Sequence, residues 1–147
     1  MILNKKIRVV VLSQEDHFVI PRNIFLLDSV KNVKVILVVS INSKGSLKNK
    51  KINFIKGFGF FQSLKMGFLI FKEKVIDSID LLSKGMIFDF PRSLKSAAKK
   101  CKAKYKIVNS PNSSSFLNEL QALNAELVIS FSAPCIFNKR LLELPKH

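Results

Sequence analysis

Four short apolar runs, separated by segments with helical character, constrain the fold of this chain more than any other feature. Each run is rich in valine and isoleucine and is apolar at consecutive positions, which is typical of strands buried on both faces of a parallel sheet. The predicted strands are Ile7–Leu12, Val33–Val39, Tyr105–Val108 and Leu127–Ser132. Because helical segments alternate with these strands, the sequence predicts an α/β fold.

The segments between the strands carry signals for helices. Pro21 suits the first turn of one helix, and Ser93 and Asn138 are predicted N-caps of two later ones. The longest helix is predicted over Phe60–Ser83, where apolar residues recur at steps of three and four. This stripe comprises Phe61, Leu64, Phe68, Phe71, Val75, Ile79 and Leu82. We expect it to be buried against the sheet or a partner chain, with a membrane-surface face as the alternative.

The order of the strands follows from the handedness of their connections. Right-handed crossovers favour a Rossmann-like sheet in the order 3-2-1-4, with helices on both faces. The fourth strand would then lie at an edge, although it is apolar on both faces. We therefore expect the sheet to be incomplete at its C-terminal edge, and residues 1–147 to be the N-terminal portion of a larger catalytic domain. The alternative is a self-contained domain whose edge another chain covers.

The charge of the chain admits two interpretations. A formal net charge of +15 is typical of proteins that bind nucleic acid or other polyanions. However, the basic residues are 21 lysines and only 4 arginines, and arginine makes the bidentate contacts with phosphate and guanine. A lysine-rich solvated surface, of the kind produced by codon bias in an AT-rich genome, explains the same composition.

The remaining composition excludes several classes of protein. The hydrophobic content of 48% excludes a disordered chain. Cys101 and Cys135 lie far apart without a CxxC pattern, which argues against a disulfide scaffold or a zinc site and favours a reducing, cytoplasmic setting. We identify no secretory signal and no run of about 20 apolar residues that would span a membrane.

Few residues carry a recognisable chemical pattern. The loop Ser13–His17 follows the first strand, where parallel sheets bind ligands, but it contains no glycine-rich nucleotide motif. Asp16 and His17 are candidates for function there, and the alternative is a solvated loop with a capping aspartate. The basic loop with Lys44, Lys48, Lys50 and Lys51 could contact phosphates or could simply be solvated. The residues supply no catalytic triad, paired carboxylates or metal site.

The C-terminal part of the sequence is the most specific. Residues 123–146 read LNAELVISFSAPCIFNKRLLELPK. They comprise an apolar strand, small residues, a turn and a Leu-Leu-x-x-Pro pattern. This combination resembles the formyltransferase family, which includes methionyl-tRNA, glycinamide ribonucleotide and amino-sugar formyltransferases. In that family the catalytic Asn and His follow directly in a Gly-x-Ile-Asn-x-His-x-Ser motif, so we expect this chain alone to be inactive and to need the remainder of its domain.

The resemblance implies a donor, an acceptor and a binding loop. The donor would be 10-formyltetrahydrofolate and the acceptor a primary amine, on methionyl-tRNA or a nucleotide-linked amino sugar. The turn after the fourth strand would line the folate pocket together with Phe18, largely through backbone groups. That turn comprises Ser132, Ala133, Pro134, Cys135, Ile136 and Phe137. Lys48, Lys50 and Lys51 occupy the position of the family's basic acceptor loop.

The sequence differs from the family pattern at two places, and two other functions are consistent with it. Pro134 lacks the N–H that glycine supplies in many relatives, so one backbone contact must differ. The arginine and glycines of the family's basic loop are also missing. A non-catalytic α/β binding module with a degenerate pocket, or a basic nucleic-acid-binding domain, therefore remains open as an alternative function.

Overall fold

The computed structural model describes residues 6–42, 55–83 and 87–145 of the chain. In these residues strands and helices alternate as the sequence predicts. The strands are β1 (Ile7–Ser13), β2 (Val33–Ile41), β3 (Lys104–Val108) and β4 (Leu127–Phe131). The helices are α1 (Ile20–Asp28), α2 (Phe60–Leu82), α3 (Leu94–Lys100), α4 (Ser114–Ala122) and α5 (Lys139–Leu142). Residues 55–58 are helical as well, immediately before α2.

The strands form one parallel sheet in the order β3-β2-β1-β4. The predicted Rossmann-like α/β fold is therefore confirmed. Between β1 and β2 the register shifts once, because Val9 pairs with Val35 and the next residue, Val10, pairs with Leu37. Ile36 is the extra residue of this β-bulge, and it packs partly onto the same cluster as Leu37.

Helices cover both faces of the sheet, as predicted. On one face, Val9 and Val11 of β1 pack with Ile24 of α1 and with Leu94 and Ala97 of α3. The opposite face is covered by α4 and α5, whose buried residues there are Phe116, Leu117, Leu120 and Leu141; these pack with Val10 and Leu12 of β1. Consecutive residues of β1 thus face different clusters, which explains why the strand is apolar at every position.

Local capping positions the helices against this sheet. Ser93 Oγ accepts a hydrogen bond from Ser96 N at 3.0 Å, and the Ser96 side chain returns a contact to Ser93 N, forming a capping box. Asn138 Oδ1 accepts from Leu141 N at 2.9 Å and starts α5. Both predicted N-caps are therefore confirmed, and Pro21 lies in the first turn of α1 as expected.

The orientation of α2 differs from our expectation. Its apolar stripe faces solvent, and the exposed fractions range from 43% at Val75 to 86% at Leu82. Asp77 and Asp80 are instead the buried residues of the helix. The prediction that the stripe packs against the sheet is therefore wrong, because ion pairs hold the polar side of α2 against the protein. Its burial by a partner chain stays a prediction. We call the seven residues of the stripe, from Phe61 to Leu82, the outer stripe.

β4 occupies one edge of the sheet among the described residues. It pairs with β1 alone, and its residues are half-buried apart from the exposed Ser130. A hollow of about 270 Å³ beside it is lined by Val128, Ser130, Phe137, Leu141, Leu142 and Pro145. A further strand that completes this edge stays a prediction.

Candidate functional site

The loops after β1 and β4 leave the sheet side by side at its carboxyl edge. From β1 the chain continues to its neighbour β2 and then to β3, which lie on one side of β1 within the sheet. After β3 the chain crosses back and adds β4 on the other side of β1, so the strand order reverses at β1. Gln14 Nε2 and Ser132 Oγ lie 3.5 Å apart across the two loops. In open α/β sheets, ligands bind at such a reversal of strand order. We call the space between residues 14–19 and 132–138 the switch-point crevice.

The β4 loop is held in place by one side chain from the β3–α4 connection. Asn112 donates from Nδ2 to the Ile136 carbonyl at 2.8 Å and accepts at Oδ1 from Asn138 N at 3.0 Å. Ser132 adopts a left-handed conformation with φ of 53°, which turns the chain sharply after the strand. These features fix the path of the loop before any ligand binds.

Several backbone groups of the fixed β4 loop are available to a ligand. Within the described residues, no hydrogen bond uses the N–H groups of Ala133, Cys135 or Ile136. Pro134 has no N–H to offer. The side chain of Ile136 is 90% exposed, whereas Ala133 and Phe137 pack partly onto the cluster below α4. The loop therefore presents mainly backbone donors, with Ala133 and Phe137 anchoring it.

A cleft of about 210 Å³ borders the same loop. It is lined by Ile41, Asn42, Asn109, Ser110, Pro111, Pro134 and Cys135, at the carboxyl ends of β2 and β3. Sites that enclose a drug-sized ligand usually measure about 300–1,000 Å³. This cleft is therefore smaller than a site that encloses a ligand of that size.

Asp16 has a structural role in the β1 loop. Its Oδ1 accepts hydrogen bonds from the N–H groups of Phe18, Val19 and Ile20, at 3.0, 2.8 and 2.9 Å. Ile20 is the first residue of α1 and Val19 its N-cap, so the carboxylate accepts from free donors at the start of the helix and lies at the positive end of its dipole. The interpretation of Asp16 as a capping residue is confirmed.

Glu15 is a site residue that the sequence did not single out from its loop. Its Oε1 accepts from Leu94 N at 3.1 Å, at the start of α3. Its Oε2 lies 3.5 Å from both Ser40 Oγ and Tyr105 OH, and burial followed by the charge of Glu15 raises the pKa of Tyr105. Glu15 therefore joins the β1 loop to β2, β3 and α3. No local pattern reveals this role, because its partners lie 25 to 90 residues away in sequence.

His17 is also held by the fold. Its Nδ1 lies 3.0 Å from the Arg92 carbonyl, so the tautomer with a proton on Nδ1 donates to that oxygen. The Nε2 atom is then the acceptor of this half-buried ring. The three charged or titratable residues after Gln14 thus all support neighbouring elements.

Neither cysteine is an activated nucleophile. Burial raises the pKa of the Cys101 thiol to about 12, and the negative charge of Asp28 adds to this effect while Lys34 opposes it. Desolvation also raises the pKa of Cys135, although this residue is exposed on the β4 loop. A reactive cysteine needs a lowered pKa that favours the thiolate. The β4 loop therefore contributes binding groups rather than a thiolate.

The predicted site residues lie partly at this crevice. Phe18, which is 44% exposed, lies on the β1 loop before α1, and Ser132 to Phe137 form the β4 loop. Lys44, Lys48, Lys50 and Lys51 lie outside the described residues, so the predicted acceptor or phosphate loop stays a prediction. Among the residues described, no three His, Cys, Asp or Glu side chains are grouped as metal ligands would be.

Two larger hollows lie away from the carboxyl edge. One of about 430 Å³ is lined by residues including Arg8, Gln121 and Glu126 near the start of β1. The other, of about 440 Å³, lies between α2, α3 and β3. Neither borders the two loops of the switch-point crevice. In the described parts of the chain, no helix has the length and apolar character to cross a bilayer.

Comparison of the chain with models of protein families, with curated proteins and with solved structures found no match.

Proposed function

We propose that this chain forms the folate-binding portion of a formyltransferase-like domain. In this role it binds 10-formyltetrahydrofolate, whose formyl group is transferred to a primary amine of methionyl-tRNA or of an amino sugar. One observation carries the proposal. The β4 loop, where the sequence resembles the family, lies beside the β1 loop at the switch point of the sheet. This is the position at which open α/β sheets bind their ligands.

The chemistry of the β4 loop suits a pterin ring. A pterin carries a carbonyl oxygen and ring nitrogens along one edge, and these pair well with backbone N–H groups. Ala133, Cys135 and Ile136 supply such donors without a partner among the described residues. Asn112 holds the loop in position, which lowers the conformational entropy lost on binding.

The electrostatics of the protein suit the rest of the donor. The glutamate tail of a folate is anionic, and the net charge of +15 attracts it over long range. Phe18, which is 44% exposed on the β1 loop, offers an aromatic surface for stacking in this proposal. In the proposal, Lys48, Lys50 and Lys51 contact the acceptor or its phosphate groups.

The residues after β1 also indicate which part of the reaction this chain would perform. The amine nitrogen attacks the formyl carbon, donors must stabilise the resulting oxyanion, and a base takes the amine proton. Collapse of this intermediate breaks the bond between the formyl carbon and N10, and N10 takes up a proton and leaves as tetrahydrofolate. Asp16 accepts three backbone hydrogen bonds, and Glu15 and His17 contact α3 and Arg92. We therefore assign donor binding, rather than proton transfer, to the residues of this chain.

The proposal is tested by titrating the stable analogue 5-formyltetrahydrofolate into the ¹⁵N-labelled chain. We expect amide shifts at Gln14–Phe18 and Ala133–Phe137. Ile136→Glu should weaken binding, because it places a negative charge beside the anionic ligand. Leu82→Glu introduces the same charge at an equally exposed site on α2 and should bind like the unmodified chain. Shifts absent from both loops, or equal affinities of the two variants, would contradict the proposal.

A further inference from the structure

α2 presents the opposite of the usual amphipathic arrangement. Helices on the surface of soluble proteins normally turn their apolar stripe inward. Here the outer stripe faces solvent, and Phe60, whose ring contacts that of Phe61, extends it with an exposed fraction of 65%. If a fully exposed side chain of this size counts as about 200 Å², the apolar patch covers roughly 1,000 Å². Monomeric soluble proteins rarely expose contiguous patches larger than a few hundred Å².

Polar contacts fix α2 in this orientation. Glu73 forms an ion pair with Arg92, and Asp80 Oδ2 lies 3.8 Å from Lys100 Nζ. Asp80 Oδ1 also accepts from Phe88 N at 3.2 Å, and Lys99 Nζ donates to the Leu81 carbonyl at 2.9 Å. Turning the outer stripe inward would break these contacts and expel their charges from partly buried positions. The exposed stripe is therefore a defined feature of the folded chain.

The charges of α2 are divided between its two sides. All its acidic residues, Glu73, Asp77 and Asp80, lie on the half-buried or buried side. Its lysines, Lys65, Lys72 and Lys74, are all exposed. At 3.6 residues per turn, Lys65 and Lys72 lie along one margin of the outer stripe and Lys74 lies near the other. The exposed surface of the helix is thus apolar in the centre and basic at its margins.

A second copy of the chain fits this surface poorly. The spacing of the outer stripe resembles the seam of a coiled coil, whose margins normally carry opposite charges. Here the margins carry lysines without acidic partners, so pairing two α2 helices would bring like charges together. The net charge of +15 on each copy adds to the repulsion. Charge complementarity therefore favours an anionic partner surface.

From these observations we propose that α2 docks the protein onto an anionic lipid bilayer. The helix has 23 residues and is about 35 Å long. It would lie in the plane of the bilayer surface, with the phenylalanines of the outer stripe inserted at the boundary of the headgroups and Lys65, Lys72 and Lys74 contacting anionic headgroups. The ion pairs on its other side keep the rest of the protein above the surface. This docking does not depend on the proposed folate binding.

The test measures flotation of the full chain with vesicles. The probes are vesicles of phosphatidylcholine and phosphatidylserine in equal parts, compared with vesicles of phosphatidylcholine alone. We expect binding to the anionic vesicles that weakens as salt is added. The double variant Phe68→Ser/Phe71→Ser should bind about tenfold or more weakly. This variant leaves every charge in place, so its loss of binding reports the outer stripe rather than the general basicity of the chain.

A matched control and a competing measurement complete the test. Leu26→Ser removes an exposed apolar side chain from α1 and should bind vesicles like the unmodified chain. Circular dichroism checks that both variants remain folded. Equal vesicle binding by the double variant and the unmodified chain would overturn the proposal. So would a dimer in sedimentation velocity that the double variant abolishes while vesicle binding is absent, since the stripe would then be an interface between copies.

Discussion

At the scale of single residues, the acidic side chains near the switch-point crevice illustrate how position alone misleads about chemistry. Asp16 and Glu15 follow β1, at the end of the sheet where open α/β folds bind their ligands. In this chain their oxygens accept backbone hydrogen bonds at the starts of α1 and α3. These bonds position the two helices. The two acidic side chains therefore position the helices next to the crevice.

Replacing Asp16 with alanine should lower the free energy of unfolding by about 1 kcal/mol, since the N–H groups of Val19 and Ile20 at the start of α1 lose their acceptor. Asp16→Asn retains a side-chain oxygen and should lose much less. Urea unfolding, followed by circular dichroism, measures both variants. An alanine variant as stable as the unmodified chain would show that these hydrogen bonds contribute nothing net.

Burial distinguishes two ion pairs of similar length. Asp80 and Lys100 are separated by 3.8 Å, with side-chain exposures of 3% and 12%. Lys139 and Glu143 are separated by 3.6 Å and are largely exposed. Asp80→Ala removes an anionic partner from a buried lysine and should cost about 3 kcal/mol. Glu143→Ala should cost less than about 0.5 kcal/mol. If urea unfolding showed similar losses of unfolding free energy for the two variants, the Asp80–Lys100 ion pair would be as accessible to solvent as the Lys139–Glu143 pair.

At the scale of secondary-structure elements, the sequence predicts which segments form strands and helices better than it predicts how a helix is oriented against the sheet. The β-branched runs predict all four strands, and Ser93 and Asn138 mark helix starts that the structure confirms. The spacing in α2 also predicts the helix and the residues that share its outer stripe. It cannot determine which side turns inward, because that depends on Arg92 and Lys100, whose positions are set by the tertiary fold.

Two phenylalanine substitutions test the orientation of α2 directly. Phe71, in the outer stripe, is 64% exposed, whereas Phe116 of α4 is 2% exposed. Phe116→Ala should lower the free energy of unfolding by about 3–5 kcal/mol, because it leaves a cavity in the core. Phe71→Ala should change it by no more than about 0.5 kcal/mol. Equal losses in urea unfolding would show that the outer stripe is buried within the chain.

At the scale of the whole molecule, the handedness of crossovers is sufficient to predict the order of the sheet. That order places the β1 and β4 loops together, so the location of the candidate site could also be predicted. The side-chain contacts that shape the site could not be predicted from the sequence. Asn112 reaches the β4 loop from 24 and 26 residues away, and Glu15 reaches α3 across 79 residues. Such contacts depend on the assembled fold and leave no local pattern.

The same arrangement predicts that residues 1–147 bind a folate donor without transferring its formyl group. Transfer needs a base beside the amine and donors directed at the oxyanion. At the crevice, Asp16 Oδ1 and Glu15 Oε1 accept from backbone N–H groups, and His17 keeps only Nε2 as an acceptor because Nδ1 contacts the Arg92 carbonyl. We therefore expect no formylated amine by mass spectrometry when the chain is incubated with 10-formyltetrahydrofolate and an amine acceptor. A longer protein that supplies an Asn and a His beside β4 should form the product. Turnover by residues 1–147 alone, abolished by His17→Gln, would instead make His17 the base.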